Sequence, residues 1–267
     1  MQTSEEIKTI VKEKYGAIAE NNSSCCEPTC CGPKNKVVDY TTMQDDYTKL
    51  KGYVADADLG LGCGLPTEFA GIKEGDTVVD LGSGAGNDVF VSRALVGESG
   101  KVIGLDFTRE MVDKANENNR KLGYENVEFH LGEIESMPID NDIADVIVSN
   151  CVLNLVPDKE KAFAEMYRII KPGGHFCVSD IVLRGELTVG LQKSAEMYAG
   201  CVSGAIQQDE YLKIINEAGF DNVEIKKSKT IELPDNELDE ILSAKEIELY
   251  RNSNVGIYSI TVVGYKN

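Results

Sequence analysis

Short apolar runs alternate with amphipathic stretches through the middle of this chain. The runs are rich in valine, isoleucine and leucine and predict β-strands, whereas the stretches between them repeat apolar residues at helical spacing. Strands that alternate with helices in this way predict a doubly wound parallel α/β sheet. The predicted strands are residues 77–81, 101–106, 127–131, 144–150 and 175–180, and the predicted helices are residues 87–95, 109–122 and 159–170.

The two ends of the chain follow different patterns. Residues 4–20 predict a helix, and residues 21–36, which are rich in Asn, Ser, Cys, Pro and Gly, predict a loop. A Lys-Pro-Gly-Gly turn at 171–174 ends the last helix of the α/β pattern. After residue 185 the regularity weakens, and the predicted elements are helices at 187–199 and 209–218 and strands at 223–231 and 256–265.

These patterns divide the chain into three parts. An N-terminal helix and a Cys-rich loop segment cover residues 1–66, and a Rossmann-like α/β domain covers residues 67–185. A smaller C-terminal α+β region covers residues 186–267. We therefore expect a doubly wound sheet with a smaller region that follows it.

Composition and charge narrow the function classes. The chain has 267 residues, of which 42% are apolar, and this suffices for a substantial core. The formal net charge of -18 repels nucleic-acid backbones and anionic lipids, so nucleic acid is not an expected partner. No apolar run is long enough to span a bilayer, and the acidic N-terminus lacks the apolar segment of a secretory signal. We expect a cytoplasmic protein without a membrane partner.

A glycine loop follows the first predicted strand of the α/β pattern. Gly82, Gly84 and Gly86 have the spacing G-x-G-x-G, whereas dinucleotide sites have G-x-G-x-x-G. Asp80 precedes the loop, and a carboxylate there disfavours a pyrophosphate but suits the ammonium group of S-adenosylmethionine. The loop with its acid therefore predicts an S-adenosylmethionine site.

A second acid supports the same ligand. Asp106 ends the second strand, 20 residues after Gly86, where a carboxylate can accept hydrogen bonds from both ribose hydroxyls. The alternative role for Asp106 is an N-cap of the helix at 109–122. We favour the ribose role because strand, loop and second acid occur together.

Residues 73–183 resemble a class I S-adenosylmethionine-dependent methyltransferase. The matching segments are Val79-Asp80-Leu81-Gly82-Ser83-Gly84-Ala85-Gly86, Gly104-Leu105-Asp106, Gly132-Glu133-Ile134-Glu135 and Ile170-Lys171-Pro172-Gly173-Gly174. The resemblance implies that Glu133 and Ile134 lie along the adenine and that Met111 packs on it, although Met111 also suits a simple core position. It further implies cofactor contacts from Ser83, Asn87 and Asn150.

Cysteine usage is unusual for a chain expected in a reducing compartment. A disulfide framework is not expected there. The remaining explanations for the cysteines are metal or metalloid binding, redox chemistry and simple burial. Cys151 follows Asn150 at the carboxyl end of a strand, where ligands bind in open α/β sheets, whereas Cys177 lies mid-strand and predicts buried packing. The eight cysteines are Cys25, Cys26, Cys30, Cys31, Cys63, Cys151, Cys177 and Cys201.

Three of these cysteines lie in segments that resemble the arsenite methyltransferase family. The segments are Gly62-Cys63-Gly64-Leu65-Pro66, Ser149-Asn150-Cys151-Val152-Leu153-Asn154-Leu155 and Gly200-Cys201-Val202 with Gly204-Ala205, and the resemblance runs from about residue 38 to 225. It implies that Cys151 and Cys201 form the minimal site for trivalent arsenic, with Cys63 as the third thiol. Trivalent arsenic is soft, and thiolates are the soft ligands of proteins. The C-terminal region would then bind the substrate.

The same resemblance implies a redox step at the N-terminal cysteines. Cys63 would pair with a cysteine of the 25–31 cluster, and Cys30 and Cys31 are the nearer candidates. A thiol reductant such as glutathione or thioredoxin would restore the enzyme, which we expect to be a monomer. A structural zinc site is the alternative for this cluster, but the usual C-x₂-C pairs are absent from it. Leu61 stands where the resemblance predicts an aromatic residue, as in the better-known members of the family, so a cofactor-stacking role is not expected at this position.

Two other functions remain open from the sequence. An ordinary small-molecule methyltransferase of the quinone C-methylating type would share the glycine loop and would not depend on the cysteines. A non-catalytic thiol sensor of metalloids would keep the cysteines and would not need Asp80 and Asp106. The only histidines, His130 and His175, fit strand positions, which suits methyl transfer to arsenic without a general base.

Overall fold

The computed structural model describes residues 3–20, 45–187, 202–233, 238–239, 242–251, 253 and 255–267. The strands are β1 Thr77–Leu81, β2 Lys101–Asp106, β3 Val127–Leu131, β4 Ala144–Asn150, β5 Ile170–Arg184, β6 Asp221–Ile231 and β7 Gly256–Tyr265. The α-helices are α1 Ser4–Glu20, α2 Pro66–Phe69, α3 Asn87–Val96, α4 Arg109–Leu122, α5 Lys159–Ile169, α6 Gln208–Glu217 and α7 Ala244–Arg251. Short 3-10 helices lie at Tyr47–Lys49, Ala55–Ala57, Leu153–Leu155 and Val202–Gly204.

The seven strands form one sheet in the order β3-β2-β1-β4-β5-β7-β6. Strands β1 to β5 are parallel, and β7 is antiparallel to both β5 and β6. The strand order reverses between β1 and β4, so the carboxyl ends of these two strands border a crevice at the switch point of the sheet. This confirms the Rossmann-like α/β class expected from the sequence.

The sheet separates two apolar cores. Alternate side chains of a strand point to opposite faces, so Val78 and Val148 join one cluster while Val79 and Ile147 join the other. The first cluster packs against α1, α3 and α4, and the second packs against α5 and α6. Strands that are apolar on both faces are typical of a sheet covered by helices on both sides.

Most predicted elements have the bounds that the pattern indicated, and the start of β5 is a clear difference. The Lys-Pro-Gly-Gly segment belongs to β5, which spans Ile170–Arg184 rather than residues 175–180. The cause is tertiary: the Gly173 N–H donates to the Lys266 carbonyl at 2.7 Å, and the Lys266 N–H donates to the Gly174 carbonyl at 2.9 Å. The predicted loop at 21–36 and most of the predicted helix at 187–199 lie outside the described residues.

The C-terminal part of the chain completes the same sheet. Strand β7 runs antiparallel along β5 from the pair His175–Tyr265 to the pair Arg184–Gly256, and β6 pairs with its other edge. Strand β7 is buried on both faces up to its last residue, although its sequence alternates. None of the helices in the described ranges combines the length and the apolar character that crossing a membrane requires.

Candidate active site

A cavity opens at the carboxyl ends of β1, β2 and β4, where the strand order reverses. Its wall includes most of the residues that the sequence indicated for a cofactor. Gly86 is the exception: it is the N-cap of α3, with φ of 100°, and it lies behind the wall. The predicted cofactor residues on the wall are Asp80, Gly82, Ser83, Gly84, Asn87, Asp106, Met111, Glu133, Ile134 and Asn150.

The glycine loop has a backbone that other residues rarely adopt. Gly82 and Gly84 have φ of 70° and 51°, in the left-handed region that glycine enters without a steric cost. The Gly82 and Ser83 N–H groups donate to the Leu105 carbonyl at 2.7 and 3.0 Å, and so fix the loop to the end of β2. A Cβ on Gly82 would lie 2.6 Å from Val152 Cγ1, so the loop also packs directly against the segment after β4.

Asp80 is a buried carboxylate that faces the cavity. Among the described residues, no group donates a hydrogen bond to its side chain. Burial raises the pKa of Asp80 well above its usual value, and the nearby carboxylates of Asp88 and Asp106 raise it further. A bound cation would supply the counter-charge that is missing at this position.

Asp106 is held by the backbone around it. Its Oδ2 accepts the Gly84 N–H at 2.9 Å, and its Oδ1 accepts the Thr108 N–H at 2.8 Å. Burial raises the pKa of Asp106, while these hydrogen bonds oppose the shift. Helix α4 begins at Arg109 with Thr108 at the N-cap position, so Asp106 is not the cap of that helix.

Two further polar atoms around the cavity are buried without a hydrogen-bond partner among the described residues. They are Ser83 Oγ and Asn87 Oδ1, and both residues belong to the cavity wall. A buried polar group that has no partner costs roughly 1–3 kcal/mol. These atoms therefore indicate a polar ligand, and the fixed loop, Asp80 and Asp106 fit the amino-acid and ribose ends of S-adenosylmethionine.

Helix α1 covers one side of the cavity, which the sequence pattern did not indicate. Lys8 forms ion pairs with Glu133 at 2.8 Å and with Glu135 at 3.0 Å, and Val11 and Tyr15 line the cavity beside it. The amphipathic spacing of residues 4–20 predicted the helix but carried no information on the surface it packs against. A lysine on its buried side was the signal that could have indicated an acidic partner.

Met111 and Ile134 form apolar parts of the cavity wall. Met111 is buried, belongs to the core cluster of α3 and α4 and also lines the cavity, so packing on the adenine stays a prediction beside its core position. A Cβ on Gly84 would lie 3.9 Å from the Met111 sulfur, which places this side chain against the glycine loop. Leu61, where the resemblance led us to expect an aromatic residue, lines the cavity.

Two of the three expected acceptor thiols meet beside the cavity. Cys63 and Cys151 are 1% and 4% exposed and belong to one apolar cluster with Ile181 and Val202, although they are far apart in the sequence. Cys151 lines the cavity, whereas Cys63 does not. Cys201, Cys30 and Cys31 lie outside the described residues.

Cys151 has an unusual backbone conformation. Its φ is 61°, in the left-handed region, and its N–H donates to the Ser179 carbonyl at 2.7 Å. A non-glycine residue in this region costs about 1–3 kcal/mol, and such residues cluster at functional sites. The strained residue is thus the cysteine that the cavity wall includes.

The loop that carries Cys63 is fixed on both sides of this residue. The Cys63 N–H donates to Asn150 Oδ1 at 3.0 Å, and Ser259 Oγ donates to the Cys63 carbonyl at 2.7 Å. A Cβ on Gly64 would lie 2.6 Å from Ser179 Oγ, so only glycine fits there without a shift. Residues of β4, β5 and β7 therefore determine where Cys63 lies.

Two buried tyrosine–aspartate pairs near the site were missed from the sequence. Tyr47 donates to Asp88 at 2.9 Å next to the cavity, and Tyr211 donates to Asp180 at 3.0 Å beneath the thiol cluster. Burial raises the pKa of Asp88 to about 6. It raises that of Asp180 to about 7, while Lys159 opposes that shift. No motif identified these residues, because each pair joins segments at least 31 positions apart.

The remaining candidates lie away from the cavity. His130 is in β3 beside Glu128, and His175 is in β5 with Nε2 2.5 Å from the Ala70 carbonyl. Cys177 is fully buried, as expected, and its thiol donates to the Pro66 carbonyl at 3.1 Å. Burial raises the pKa of the Cys177 thiol to about 12. This thiol is therefore part of the core.

Comparison with known proteins agrees with this geometry. A family model described as a methyltransferase domain matches residues 72–219. The chain is 40% identical over 230 residues to an arsenite methyltransferase of Halobacterium salinarum, with 83% of this chain and 59% of that protein aligned. It is 33% identical to an arsenite methyltransferase of Aquipseudomonas alcaligenes, with 87% of this chain and 67% of that protein aligned. The chain thus spans about three fifths to two thirds of these relatives.

A solved structure shares the fold as well. The crystal structure of an arsenic(III) S-adenosylmethionine methyltransferase from Chlamydomonas reinhardtii superimposes with a TM-score of 0.63 at 32% sequence identity. The alignment covers 77% of this chain and 67% of that one. The similarity therefore extends over about three quarters of this chain.

Proposed function

This chain belongs to the arsenite methyltransferase family, and from that premise we propose that it methylates trivalent arsenic held by its cysteine thiolates. S-adenosylmethionine is the methyl donor. The observation that carries the proposal is Cys151, a buried thiol on strained backbone in the wall of the cavity that also presents Asp80 and Asp106. One cavity thus combines groups suited to the donor with a thiol suited to the acceptor.

The cavity offers a partner to each polar end of the donor. Asp80 would bind the methionine ammonium, and the lone pairs of Asp106 that remain beside its two backbone bonds would accept the ribose hydroxyls. Met111 and Ile134 would flank the adenine. Bound there, S-adenosylmethionine supplies a sulfonium-activated methyl group.

The thiols would hold the acceptor. Cys151 and Cys201 would form the minimal arsenic site with Cys63 as a third thiolate, because soft trivalent arsenic prefers sulfur ligands. Three thiolates leave the arsenic lone pair free to attack the methyl carbon in line. The protein then contributes mainly proximity and orientation, which can be worth roughly 7–11 kcal/mol. No proton has to leave arsenic, and both histidines lie away from the cavity.

Methyl transfer takes arsenic formally from the trivalent to the pentavalent state. Return to the trivalent state needs two electrons, which two thiols supply when they form a disulfide. Cys63 with Cys30 or Cys31 would be this pair, and an external thiol such as glutathione or thioredoxin would reduce it again. Trapping the disulfides after one turnover and mapping them by mass spectrometry would identify the partner of Cys63.

The direct test incubates the full chain with S-adenosylmethionine, glutathione and arsenite and quantifies methylated arsenic. We expect product from the wild type and a decrease of at least ~100-fold for Cys151→Ser and Cys201→Ser, because a hydroxyl is a poor ligand of soft arsenic. Cys177→Ser is the matched control, since its thiol is buried in the core and a serine can still donate to the Pro66 carbonyl. This control should retain activity.

The other outcomes separate the competing functions. Full arsenite methylation by the Cys151→Ser variant would contradict the thiol site. Methylation of another small molecule, such as a quinone, without arsenite turnover would favour an ordinary methyltransferase. Arsenite binding without turnover would favour a sensor. A cytoplasmic location, a monomer and the C-terminal region as substrate-binding region stay predictions, which cell fractionation, sedimentation and arsenite binding by C-terminal variants would test.

A further inference from the structure

Three buried side chains connect the cofactor cavity to the loop that carries Cys63. The Tyr47 hydroxyl lies 2.9 Å from Asp88 Oδ2, and Asn150 Nδ2 donates to the Tyr47 oxygen at 2.6 Å. Asn150 Nδ2 is also 3.2 Å from Asp88 Oδ2, so the three side chains close a triangle. We call Tyr47, Asp88 and Asn150 the bridging triad.

The bridging triad faces the cavity on one side. All three of its members belong to the cavity wall. The charge of Asp88 repels that of Asp80, the carboxylate proposed for the donor ammonium. A cation that binds beside Asp80 therefore relieves a repulsion that includes Asp88 and favours the ionised form of both.

On its other side the triad holds the Cys63 loop. Asn150 accepts the Cys63 N–H at 3.0 Å through Oδ1 and donates to the Gly64 carbonyl at 2.8 Å through Nδ2. A Cβ on Gly62 would lie only 2.7 Å from Asn150 Nδ2, so this loop follows the amide at van der Waals distance. Any rotation of the Asn150 side chain must therefore displace the loop.

We infer that the bridging triad is a positioning unit that couples binding of the methyl donor to the position of Cys63. An ionised Asp88 accepts a charge-assisted hydrogen bond from Tyr47, which is roughly twice as strong as a neutral one, and the Tyr47 oxygen in turn accepts one N–H of Asn150. The second N–H of this amide donates to the Gly64 carbonyl, so the chain of hydrogen bonds keeps Asn150 in the orientation in which it holds Cys63. Donor binding thus closes the Cys63 loop before the acceptor is methylated. The inference depends on the proposed donor site but not on the identity of the acceptor.

Site-resolved alkylation tests the coupling without arsenic. Cys63 is 1% exposed, so iodoacetamide reaches it only when its loop opens, and the alkylation rate measures that opening. We expect saturating S-adenosylmethionine to slow alkylation of Cys63 about 10-fold in the wild type, within the range of typical coupled sites. In Tyr47→Phe and Asn150→Ala the effect should fall below about 2-fold, with the ligand at saturation in each variant.

Two other cysteines serve as internal readouts in the same samples. Cys151 lines the cavity, so direct shielding by the ligand should slow its alkylation in wild type and variants alike. Cys177 is fully buried in the core, so its rapid alkylation would identify a variant that has unfolded. Cys63 itself is not part of the cavity wall, whereas Leu61 and Gly62 before it are, so protection that persists in Tyr47→Phe would come from direct contact between the ligand and the loop.

The matched control removes a similar bond elsewhere. Tyr211→Phe deletes another buried tyrosine–aspartate hydrogen bond, to Asp180, outside the cavity wall. It should preserve the protection of Cys63. Equal protection in Tyr47→Phe and the wild type would overturn the inference, as would a wild-type Cys63 that does not respond while Cys151 is shielded. Failure of arsenite methylation would leave this result unaffected, so the two proposals fail separately.

Discussion

The candidate active site at the carboxyl ends of the strands has two halves, and the side chains that surround the functional groups differ between them. The cofactor half, around β1 and β2, presents the buried carboxylates Asp80, Asp88 and Asp106 to one cavity. The thiol half, around β5 and β7, surrounds Cys63 and Cys151 with apolar side chains. Buried negative charge that suits a cationic ligand dominates the first half. Apolar side chains that exclude water from the thiols dominate the second half.

Each half contains one buried tyrosine–aspartate pair, and the surroundings of the pairs differ. Tyr47 and Asp88 share Asn150 and face the cavity, so their hydrogen bonds can respond to a ligand. Tyr211 and Asp180 lie beneath the thiols, and the charge of Lys159 opposes the rise in the pKa of Asp180 that burial causes. The same type of hydrogen bond therefore lies at the cavity in one half and outside the cavity wall in the other.

The largest effect that separates the halves should come from Asp80→Asn. This variant removes the charge proposed to hold the donor ammonium, and we expect a loss of donor affinity of about 100-fold, or about 3 kcal/mol. Arsenite binding should change less than about 2-fold. The unliganded variant should melt at a higher temperature, because a buried carboxylate without a described donor and with two acidic neighbours destabilises the fold.

Calorimetric titration with S-adenosylmethionine, arsenite titration and thermal unfolding measure these three quantities. Cys151→Ser is the reciprocal variant from the thiol half and should show the opposite pattern of affinities. If Asp80→Asn lost affinity for both S-adenosylmethionine and arsenite, the two halves would not bind their ligands independently.

An intermediate effect is expected in the pH dependence of stability. Burial raises the pKa of Asp180 to about 7, so between the unfolded value near 4 and pH 7 the folded state binds more protons than the unfolded state. The contribution of Asp180 therefore lowers the free energy of unfolding as pH rises through this window, by up to about 1.4 kcal/mol per unit. Asp180→Asn should flatten this slope.

Urea unfolding between pH 4 and 8 measures the slope, which is independent of the absolute stability of the variant. The groups around Asp180 are Tyr211, Lys159 and the N–H groups of Ile181 and Asn154. Asp88→Asn is the comparison from the cofactor half, and it should flatten the slope only up to about pH 6 because burial raises the pKa of Asp88 to that value. An unchanged slope in Asp180→Asn would show that Asp180 does not titrate in this range.

The smallest effect should follow from Lys8→Met. This change deletes the ion pairs of α1 with Glu133 and Glu135 and keeps most of the apolar stem. We expect a loss of donor affinity of about 3-fold, which decreases at high salt because screening weakens ion pairs. Lys121→Met, which deletes exposed ion pairs with Asp56 and Glu117, is the control and should leave the affinity unchanged. Equal losses of donor affinity in both variants would show that the ion pairs of α1 make no specific contribution to donor binding.

The fold was largely predictable because its elements are local. The strands Thr77–Leu81, Lys101–Asp106 and Ala144–Asn150 have the predicted bounds, since continuous apolar runs between turn residues specify buried parallel strands. The start of β5 was wrong, because a backbone exchange with Lys266 extends the strand through a sequence that is typical of a turn. The side of the cavity that α1 covers could not be predicted either, since amphipathicity marks a buried face but not its partner.

The sequence by itself determined the glycine loop, the acids at the strand ends and the chemical type of the acceptor ligands. These depend on residues that lie within one strand–turn–helix unit or on the nature of sulfur. Only the tertiary structure decided that Cys63 and Cys151 share one cluster, and that Tyr47, Asp88 and Asn150 join the two halves. The Tyr47–Asp88 contact joins residues that are 41 positions apart in the chain, and the Tyr47–Asn150 contact joins residues that are 103 positions apart. Such contacts depend on how the sheet folds, and no local pattern encodes them.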